Sequence, residues 1–481
     1  MNTIRHHLLP LAFAGAATVA CAAVATAQVP QNTAVFGTYS GPISTGTSGL
    51  FLLPMNGGAA TTVGNLPIEL QQATGPYQRG VGGVDLRSED GGIVCGTIAA
   101  GNGPGMGGIH LFVLYLNGTT IDTAQTRKIY LGSTNTVGGS LVRVLPDGRI
   151  LVLASDGGGA LTTGPMANHL AAIVDISQPV ATLTMLPNPA GSGVGGGFAV
   201  DPAGQFAYYL LSANPGSPTG LASLYRWELS TGSACTIASW IGHVAKGVSC
   251  GDDGTVYVAT NNVVSITHEM HTVQPDGCAS ATVTSMPSSL PLPANSVHLD
   301  ATGSFLIATA GWAPGFPNHR NSVASVDPAT GAVTMLASPS APGWGLMSDI
   351  AVRRPMVSYG PSSDGQNRYV FDSFPNPGGQ PTIGNSSFSL TMRAAPNGAL
   401  ASVLGLSLGR GSLSALGCEL LLDLNTIVAT VTVGVAGATT ATYSMPIPNN
   451  PNLVGFEFTA QSLHLESTGF ATSRGLQVTI Q

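Results

Sequence analysis

The chain has 481 residues, a formal net charge of −7 and only 8% charged residues, whereas ordinary soluble domains contain about 25%. Long solvent-facing helices need charged and long polar side chains. This composition, with 64 glycines and 33 prolines, therefore excludes a mostly helical protein and favours an all-β fold. Lysine occurs only at Lys128 and Lys246, so the chain has no basic patch of the kind that nucleic acids or anionic membranes require.

Residues 1–27 have the pattern of a signal peptide. An apolar run over residues 8–20 is followed by the small-x-small sequence Ala25-Thr26-Ala27, which predicts export and cleavage after residue 27. The alternative is a lipoprotein that is modified at Cys21. No later stretch is apolar for long enough to span a bilayer. We therefore expect an extracellular, periplasmic or cell-surface protein without an integral membrane segment after cleavage.

One pattern recurs along residues 34–358: a strand, a tight turn containing Asp or Gly, and a second strand. A second hairpin, with a turn such as Asn117-Gly118, separates successive copies. Two hairpins make a four-stranded sheet, and a repeat of about 50 residues is the length of one propeller blade. The turn glycines that mark this repeat are Gly148, Gly204, Gly254 and Gly303.

The copies predict the number of blades. They occur near residues 83, 142, 198, 248 and 297, and a weak last copy covers 348–353. The segment that begins at Ala34 supplies the strands that this last copy lacks. We therefore expect strands from both ends of the repeat region to share one blade, which leaves no open edge. Six blades follow from this count, and seven are the alternative.

Residues 359–481 form a second unit in which the repeat stops. Around eight short alternating strands in about 110 residues are typical of a β-sandwich of jelly-roll or Ig-like type. The sequence therefore predicts an all-β protein consisting of a β-propeller followed by a C-terminal β-sandwich.

Five segments of the tail match a known domain: Pro381–Asn385, Ala395–Ala399, Gly417–Leu421, Pro446–Phe456 and Leu476–Ile480. On these segments the tail is similar to a C-terminal β domain that recurs in large exported proteins of planctomycete bacteria, and this resemblance implies export and an accessory module without a known activity. Members of that family usually carry a cysteine that could pair with Cys418, but this chain lacks it, so we expect no bridge there. The repeat region resembles secreted propellers of the NHL, SMP-30 and TolB-like class.

Five cysteines remain after cleavage, so at least one is unpaired. Cys235 and Cys278 follow the second-hairpin turns of successive repeats. Because the outer strands of neighbouring blades diverge, we expect these two residues to lie too far apart to form a disulfide.

Three short motifs match patterns of catalytic, cofactor-binding or metal sites, but the residues around them do not predict the structure that such a site needs. Gly247–Gly251 fits the nucleophile pattern Gly-x-Ser-x-Gly, and Gly191–Gly196 fits a dinucleotide fingerprint, but a strand follows where a helix is required. His268 and His271 lie three residues apart, and in a strand such positions point to opposite faces. We therefore predict no metal and no cofactor.

The central channel is the remaining place for a site. The starts of the inner strands are mostly glycine, serine or apolar, and no pair of carboxylates is available for acid–base or metal chemistry. We assign no catalytic residue. The residues that could line a site in the channel are Arg79, His243, Lys246, Asn295 and Asp349.

The sequence therefore favours an exported, non-catalytic binding or cell-surface-associated protein with an unidentified protein or carbohydrate ligand. The C-terminal domain would be an accessory, sorting or attachment module. The alternative is an extracytoplasmic hydrolase or lyase that uses His243, Asp349 and Asn295 in the channel.

Overall fold

The protein is described by a computed structural model. Residues 1–28, which include the predicted signal peptide, and Gly303 lie outside the described part. The described residues are 29–30, 32–39, 48–55, 58–71, 78–87, 90–100, 108–133, 138–156, 162–163, 169–187, 193–214, 216–251, 254–278, 280–285, 294–299, 305–309, 322–327, 330–337, 346–360, 362–363, 370–371, 378–393, 399–415, 417–433, 440–467 and 469–481.

The described residues form antiparallel strands and three single-turn 3₁₀ helices, at Ile68–Leu70, Leu424–Thr426 and Pro451–Leu453. In this part of the chain, no helix has the length and apolar character needed to cross a membrane. The strands of the repeat region are β1 (Thr33–Tyr39), β2 (Gly49–Pro54), β3 (Thr61–Thr62), β4 (Gln78–Leu86), β5 (Ile93–Ala100), β6 (Gly108–Leu114), β7 (Leu116–Asn117), β8 (Thr120–Ile121), β9 (Arg127–Ser133), β10 (Gly138–Val144), β11 (Ile150–Asp156), β12 (Thr162–Thr163), β13 (His169–Asp175), β14 (Thr182–Met185), β15 (Gly193–Val200), β16 (Phe206–Ala213), β17 (Leu221–Glu228), β18 (Ala234–Ile241), β19 (His243–Cys250), β20 (Val256–Asn262), β21 (Thr267–Asp276), β22 (Ser280–Ser285), β23 (Ala294–Leu299), β24 (Phe305–Thr309), β25 (Val323–Val326), β26 (Val333–Ala337) and β27 (Leu346–Val352).

The repeat region is a β-propeller. Its described strands form one 12-stranded, one 5-stranded and two 4-stranded antiparallel sheets and the small pair β7-β8. Within them we number six groups of four paired strands as blades. Blade 1 is β27-β1-β2-β3, blade 2 is β4-β5-β6-β9, and blade 3 is β10-β11-β13-β14. Blade 4 is β15-β16-β17-β18, blade 5 is β19-β20-β21-β22, and blade 6 is β23-β24-β25-β26.

The inner strands form a closed ring. Each of β4, β10, β15, β19, β23 and β27 contacts the next, and β27 contacts β4. Blade 1 takes its inner strand from the end of the repeat region and its other three strands from the start, because β27 pairs with β1 with Phe36 opposite Ile350. The prediction that the two ends share one blade is confirmed.

The hydrophobic core lies between the blades. Every junction between neighbouring blades has its own cluster of buried side chains drawn from both sheets. Between blades 3 and 4, for example, Leu151 and Leu153 meet Phe198 and Trp227. Because both faces of each sheet are covered, strands such as β11 are apolar on consecutive residues and do not alternate.

The inner-hairpin turns share one conformation. Gly148, Gly204 and Gly254 have φ values of 83°, 68° and 81°, in the left-handed region that favours glycine. Each donates its N–H to the carbonyl three residues earlier, at 2.9, 2.9 and 3.0 Å. These three glycines therefore occupy equivalent corners around the axis, as the repeat predicts.

Glycines also set the spacing of the inner strands, and Gly83 gives the clearest test. A Cβ on Gly83 would lie 2.6 Å from the Val142 nitrogen and 2.8 Å from the Leu141 Cα on the neighbouring blade. We expect Gly83→Ala to destabilise the protein by about 1–3 kcal/mol, because backbone atoms cannot yield as a flexible side chain can. The matched control is Gly409→Ala, whose Cβ would meet Asp423 at 3.6 Å; it should cost no more than about 0.5 kcal/mol. Urea unfolding of both variants measures the difference, and equal midpoints would contradict it.

Residues 356–481 are called the C-terminal unit. Its strands are β28 (Met356–Tyr359), β29 (Val370–Phe371), β30 (Ser389–Arg393), β31 (Ala401–Ser407), β32 (Arg410–Ala415), β33 (Cys418–Leu422), β34 (Ile427–Val433), β35 (Ala441–Ser444), β36 (Glu457–Leu465), β37 (Phe470–Thr472) and β38 (Gly475–Thr479). They form a six-stranded sheet (β28-β38-β36-β31-β34, with β37 beside β36), a three-stranded sheet (β29-β30-β35) and the hairpin β32-β33. The two larger sheets share a core that includes Phe388, Tyr443 and Phe458.

The prediction for Cys235 and Cys278 is wrong. They form a disulfide, with a Cα–Cα distance of 5.8 Å. Cys235 lies on β18, the outer strand of blade 4, and Cys278 lies in the turn between β21 and β22 of blade 5. The outer strands of these two blades remain in contact at that position, so the expected divergence does not separate the two sulfurs.

Candidate functional site

A cavity of about 170 Å³ lies on the propeller axis, between the turns of the inner hairpins and the C-terminal unit. We call it the axial cavity. All six inner strands contribute to its wall, and the C-terminal unit covers it. Lining residues discussed below are Asp85, Arg143, Asp201, His298, Arg353 and Arg410.

A buried ion pair lies at the wall of the axial cavity. The guanidinium nitrogens of Arg143 lie 2.6 and 3.3 Å from the carboxylate oxygens of Asp349. The Ser296 hydroxyl donates to the same carboxylate at 2.5 Å. The backbone N–H groups of Val84 and Ile350 donate to it at 3.1 and 3.0 Å. Asp349 is thus neutralised and its lone pairs are occupied, which is the condition under which a buried charge is tolerated.

Two other carboxylates of the cavity are bound to backbone. Asp85 accepts from the N–H groups of Val144 and Leu86 at 2.7 and 2.8 Å. Asp201 closes its own turn by accepting from Gln205 and Phe206, both at 2.7 Å. Burial raises the pKa of Asp85 and of Asp201. These hydrogen bonds hold strands and turns in place.

His298 on β23 brings an imidazole to the cavity. Its Nδ1 lies 2.9 Å from the Leu299 carbonyl, and because a carbonyl only accepts, Nδ1 carries the proton. Burial lowers the pKa of His298 to about 4, so the ring is neutral at pH 7. His298 stands at the position of the repeat that Ser249 and Ala199 occupy in neighbouring copies, and all three line the cavity.

Three arginines attach the C-terminal unit over the cavity. Arg353 pairs with Glu457 at 3.3 Å. Arg410 donates to the Pro146 carbonyl in the blade 3 turn at 3.0 Å. Arg474, only 1% exposed, donates to the carbonyl of Pro202 in the blade 4 turn. The turn-bearing end of the propeller is therefore an interdomain contact.

The structure separates the residues that the sequence placed in one channel site. Asp349 lies beside the axial cavity, whereas His243 starts β19 and lies about 20 Å along the strand from the cavity residue Ser249. Lys246 lies in the middle of the same strand, where burial lowers its pKa. Arg79 and Asn295 lie on β4 and β23, and their side chains are outside the described part. His243 and Asp349 thus have separate partners.

A second polar cluster, which sequence reasoning missed, lies around His243. Ligating atoms of His243, Glu269 and His271 all lie within 4.8 Å of one another. His268 and His271, the pair that the spacing suggested, do not meet. His268 contacts Asn261 on β20, and His271 contacts the adjacent residue Thr260. The informative spacing was that of Glu269 and His271, two residues apart on one face of β21. Burial lowers the pKa of His271 to about 4.

Comparison with protein-family models finds no match, and comparison with curated proteins finds none. Solved structures show distant similarity. A puromycin hydrolase mutant complexed with PGG has 14% identity and a TM-score of 0.40, and the match covers 68% of this chain and 48% of that one. This chain thus spans about half the length of that hydrolase.

Two further solved structures are similar at the same distant level. A gluconolactonase from Xanthomonas campestris has 12% identity and a TM-score of 0.32, with 60% of this chain and 90% of that chain covered. An exo-β-1,3-galactanase from Phanerochaete chrysosporium has 9% identity and a TM-score of 0.31, with 82% and 95% covered. Similarity at this level assigns no activity to this chain.

Proposed function

We propose that the protein is an exported, non-catalytic binding protein with a protein or carbohydrate ligand. The observation that supports this proposal most directly is the state of the axial carboxylates. Asp349, Asp85 and Asp201 all accept hydrogen bonds from arginine, serine or backbone donors. A general acid or base needs a free position for the reacting proton, and Asp349 has its acceptor positions filled by Arg143, Ser296 and two backbone N–H groups. Asp85 and Asp201 accept from the backbone of the strands and turns that they hold in place.

The position of the C-terminal unit supports a binding surface at the opposite end of the propeller. There, the connections β18–β19 and β20–β21 lie side by side, because Val263 donates its N–H to the Gly242 carbonyl at 2.8 Å. Ile241, Val264 and Ile266, at or next to these connections, are 75%, 65% and 59% exposed among the described residues. Exposed apolar side chains grouped in this way are a suitable contact for a protein or a sugar ring. The C-terminal unit acts as an accessory domain that covers the other end.

The test uses full-length protein expressed with its signal peptide. We expect the secreted chain to begin at Gln28, and we expect no turnover of lactones, esters, glycosides or uronate polysaccharides. On a glycan array and on purified surface polysaccharides, we expect binding that falls at least tenfold in Ile266→Ser. Val180→Ser is the matched control, because Val180 is 79% exposed but lies in blade 3 before β14.

Two results would refute the proposal. The first is turnover that disappears in His298→Gln and persists in Ile266→Ser, which would support the alternative of a hydrolase or lyase at the axial cavity. The second is retention of the protein in the cytoplasm with an intact N-terminus, which would reject export.

A further inference from the structure

Blade 5 brings two imidazoles and a carboxylate together on one face. Glu269 and His271 are alternate residues of β21, so their side chains point the same way. The sheet register places Glu269 opposite Thr260 on β20, and Thr260 opposite Ala245 on β19. His243, two residues before Ala245, therefore reaches the same face across the intervening strand.

The outer atoms of each side chain are held by hydrogen bonds. Oε1 of Glu269 accepts from the Thr267 hydroxyl at 2.9 Å and from the Asn262 amide at 3.2 Å. This leaves Oε2 facing Nε2 of His243 at 3.2 Å and Nε2 of His271 at 3.8 Å. Fixing one atom of each ligand so that the other points inward is the arrangement that surrounds protein-bound metals.

The Ile241 carbonyl orients the ring of His243. Its Nδ1 lies 2.9 Å from that carbonyl, which can only accept a hydrogen bond, so Nδ1 is the donor in this contact. Nε2 therefore faces the cluster and lies 3.2 Å from Oε2 of Glu269. It is the nitrogen of His243 that is available as a ligand.

The ring of His271 is fixed from three sides. Its Nδ1 lies 3.1 Å from the Ser285 hydroxyl, and its Nε2 lies 3.2 Å from the Thr260 hydroxyl. The indole of Trp240, from blade 4, stacks on it with centroids 4.8 Å apart. When the Nδ1 proton is donated to Ser285, Nε2 presents its single lone pair, and it can act as a ligand once the Thr260 hydroxyl turns its proton away.

We propose that Nε2 of His243, Oε2 of Glu269 and Nε2 of His271 bind one divalent transition-metal ion, with Zn²⁺ the best match. Two imidazoles and a carboxylate are a zinc ligand set, whereas Ca²⁺ and Mg²⁺ prefer oxygen ligands alone. With bonds of 2.0–2.1 Å, ligand atoms around a tetrahedral Zn²⁺ lie about 3.3 Å apart. Oε2 lies 3.2 and 3.8 Å from the two nitrogens, and all three atoms lie within 4.8 Å of one another, so the side chains would draw together around the ion.

The cluster has an access route and an open position. The Glu269 side chain is 28% exposed, while those of His243 and His271 are 10% and 2% exposed. An ion would therefore enter past Glu269, and water would take the fourth position on the exposed side. Bound there, the metal would link β19 to β21 next to the blade 4 residue Trp240.

The test measures Zn²⁺ uptake at pH 7.5 by untagged full-length protein that has been freed of metal with a chelator. Competition against a chromogenic chelator gives the stoichiometry and the affinity, and Co²⁺ substitution reports tetrahedral geometry through its visible absorption. We expect one tightly bound ion per chain. In Glu269→Gln and His243→Gln, we expect the affinity to fall at least tenfold and the Co²⁺ spectrum to disappear.

The matched control is His268→Gln, because His268 precedes Glu269 and contacts Asn261 on β20. It should bind Zn²⁺ as the wild type does. Circular dichroism and melting temperature establish that each variant is folded, and added Zn²⁺ should raise the melting temperature of the wild type and of His268→Gln alone. The proposal is overturned if the folded wild type takes up no Zn²⁺, which would leave the cluster as a hydrogen-bonded group. Unchanged affinity in Glu269→Gln would also overturn it.

Discussion

Replacing Asp349 with alanine is expected to destabilise the folded protein by about 3–5 kcal/mol. The substitution leaves the Arg143 guanidinium, which is 8% exposed, as an uncompensated charge on the propeller axis. It also removes the acceptor for the Ser296 hydroxyl and for the Val84 N–H. Chemical denaturation monitored by tryptophan fluorescence measures the loss.

Two controls separate the cost of an unpaired buried charge from the loss of a carboxylate. Asp147→Ala removes the partner of Arg149 from a pair whose side chains are 45% and 51% exposed, and it should cost no more than about 1 kcal/mol. The double variant Arg143→Met/Asp349→Leu should recover much of the stability, because apolar pairs often replace buried ion pairs without loss. A double variant as unstable as Asp349→Ala would show that the hydrogen bonds, and not the charge, dominate.

The second large effect concerns the disulfide. We expect Cys235→Ala/Cys278→Ala to lower the free energy of unfolding by about 4 kcal/mol, since the bridge closes a loop of 43 residues in the unfolded chain. The two cysteines lie in blades 4 and 5, so in the double variant we expect the junction between these blades to open at a lower free energy than the other junctions. Hydrogen exchange of β18 and β22 locates the effect.

The disulfide prediction has a chemical control and a variant control. Reduction of the wild type by dithiothreitol should reproduce the loss, and the double variant should not respond to the reductant. Cys250→Ala removes a cysteine that is not disulfide-bonded, and its reductant sensitivity should equal that of the wild type. A wild type whose midpoint is insensitive to complete reduction would contradict the prediction.

The sequence predicted what is encoded locally. Gly148, Gly204 and Gly254 each have a positive φ and donate the backbone N–H to the carbonyl three residues earlier. Because these turns depend on local residues, the spacing of the glycines indicated the repeat. The glycine-rich starts of the inner strands indicated close approach at the axis, and Gly83 lies against the backbone of the next blade.

The candidate sites depend on contacts between distant parts of the chain, which no local pattern contains. Asp349 meets Arg143, 206 residues earlier, only because the ring brings β27 and β10 to the same axis. Cys235 and Cys278 were misjudged because the sequence gives no measure of how far neighbouring blades separate at their rims. Glu269 was missed as a partner of His243 because a third strand lies between them, and a two-residue spacing on one strand shows its meaning only when the sheet register is known.

The way blade 1 is completed has a consequence for how the protein forms. Strands β1–β3 are made first, but their fourth partner, β27, is not available until residues 346–352 have been synthesised. Until then β1 presents an unpaired edge that invites association between nascent chains. Cooperative closure must therefore await nearly the entire repeat region, which predicts slow maturation and dependence on chaperones.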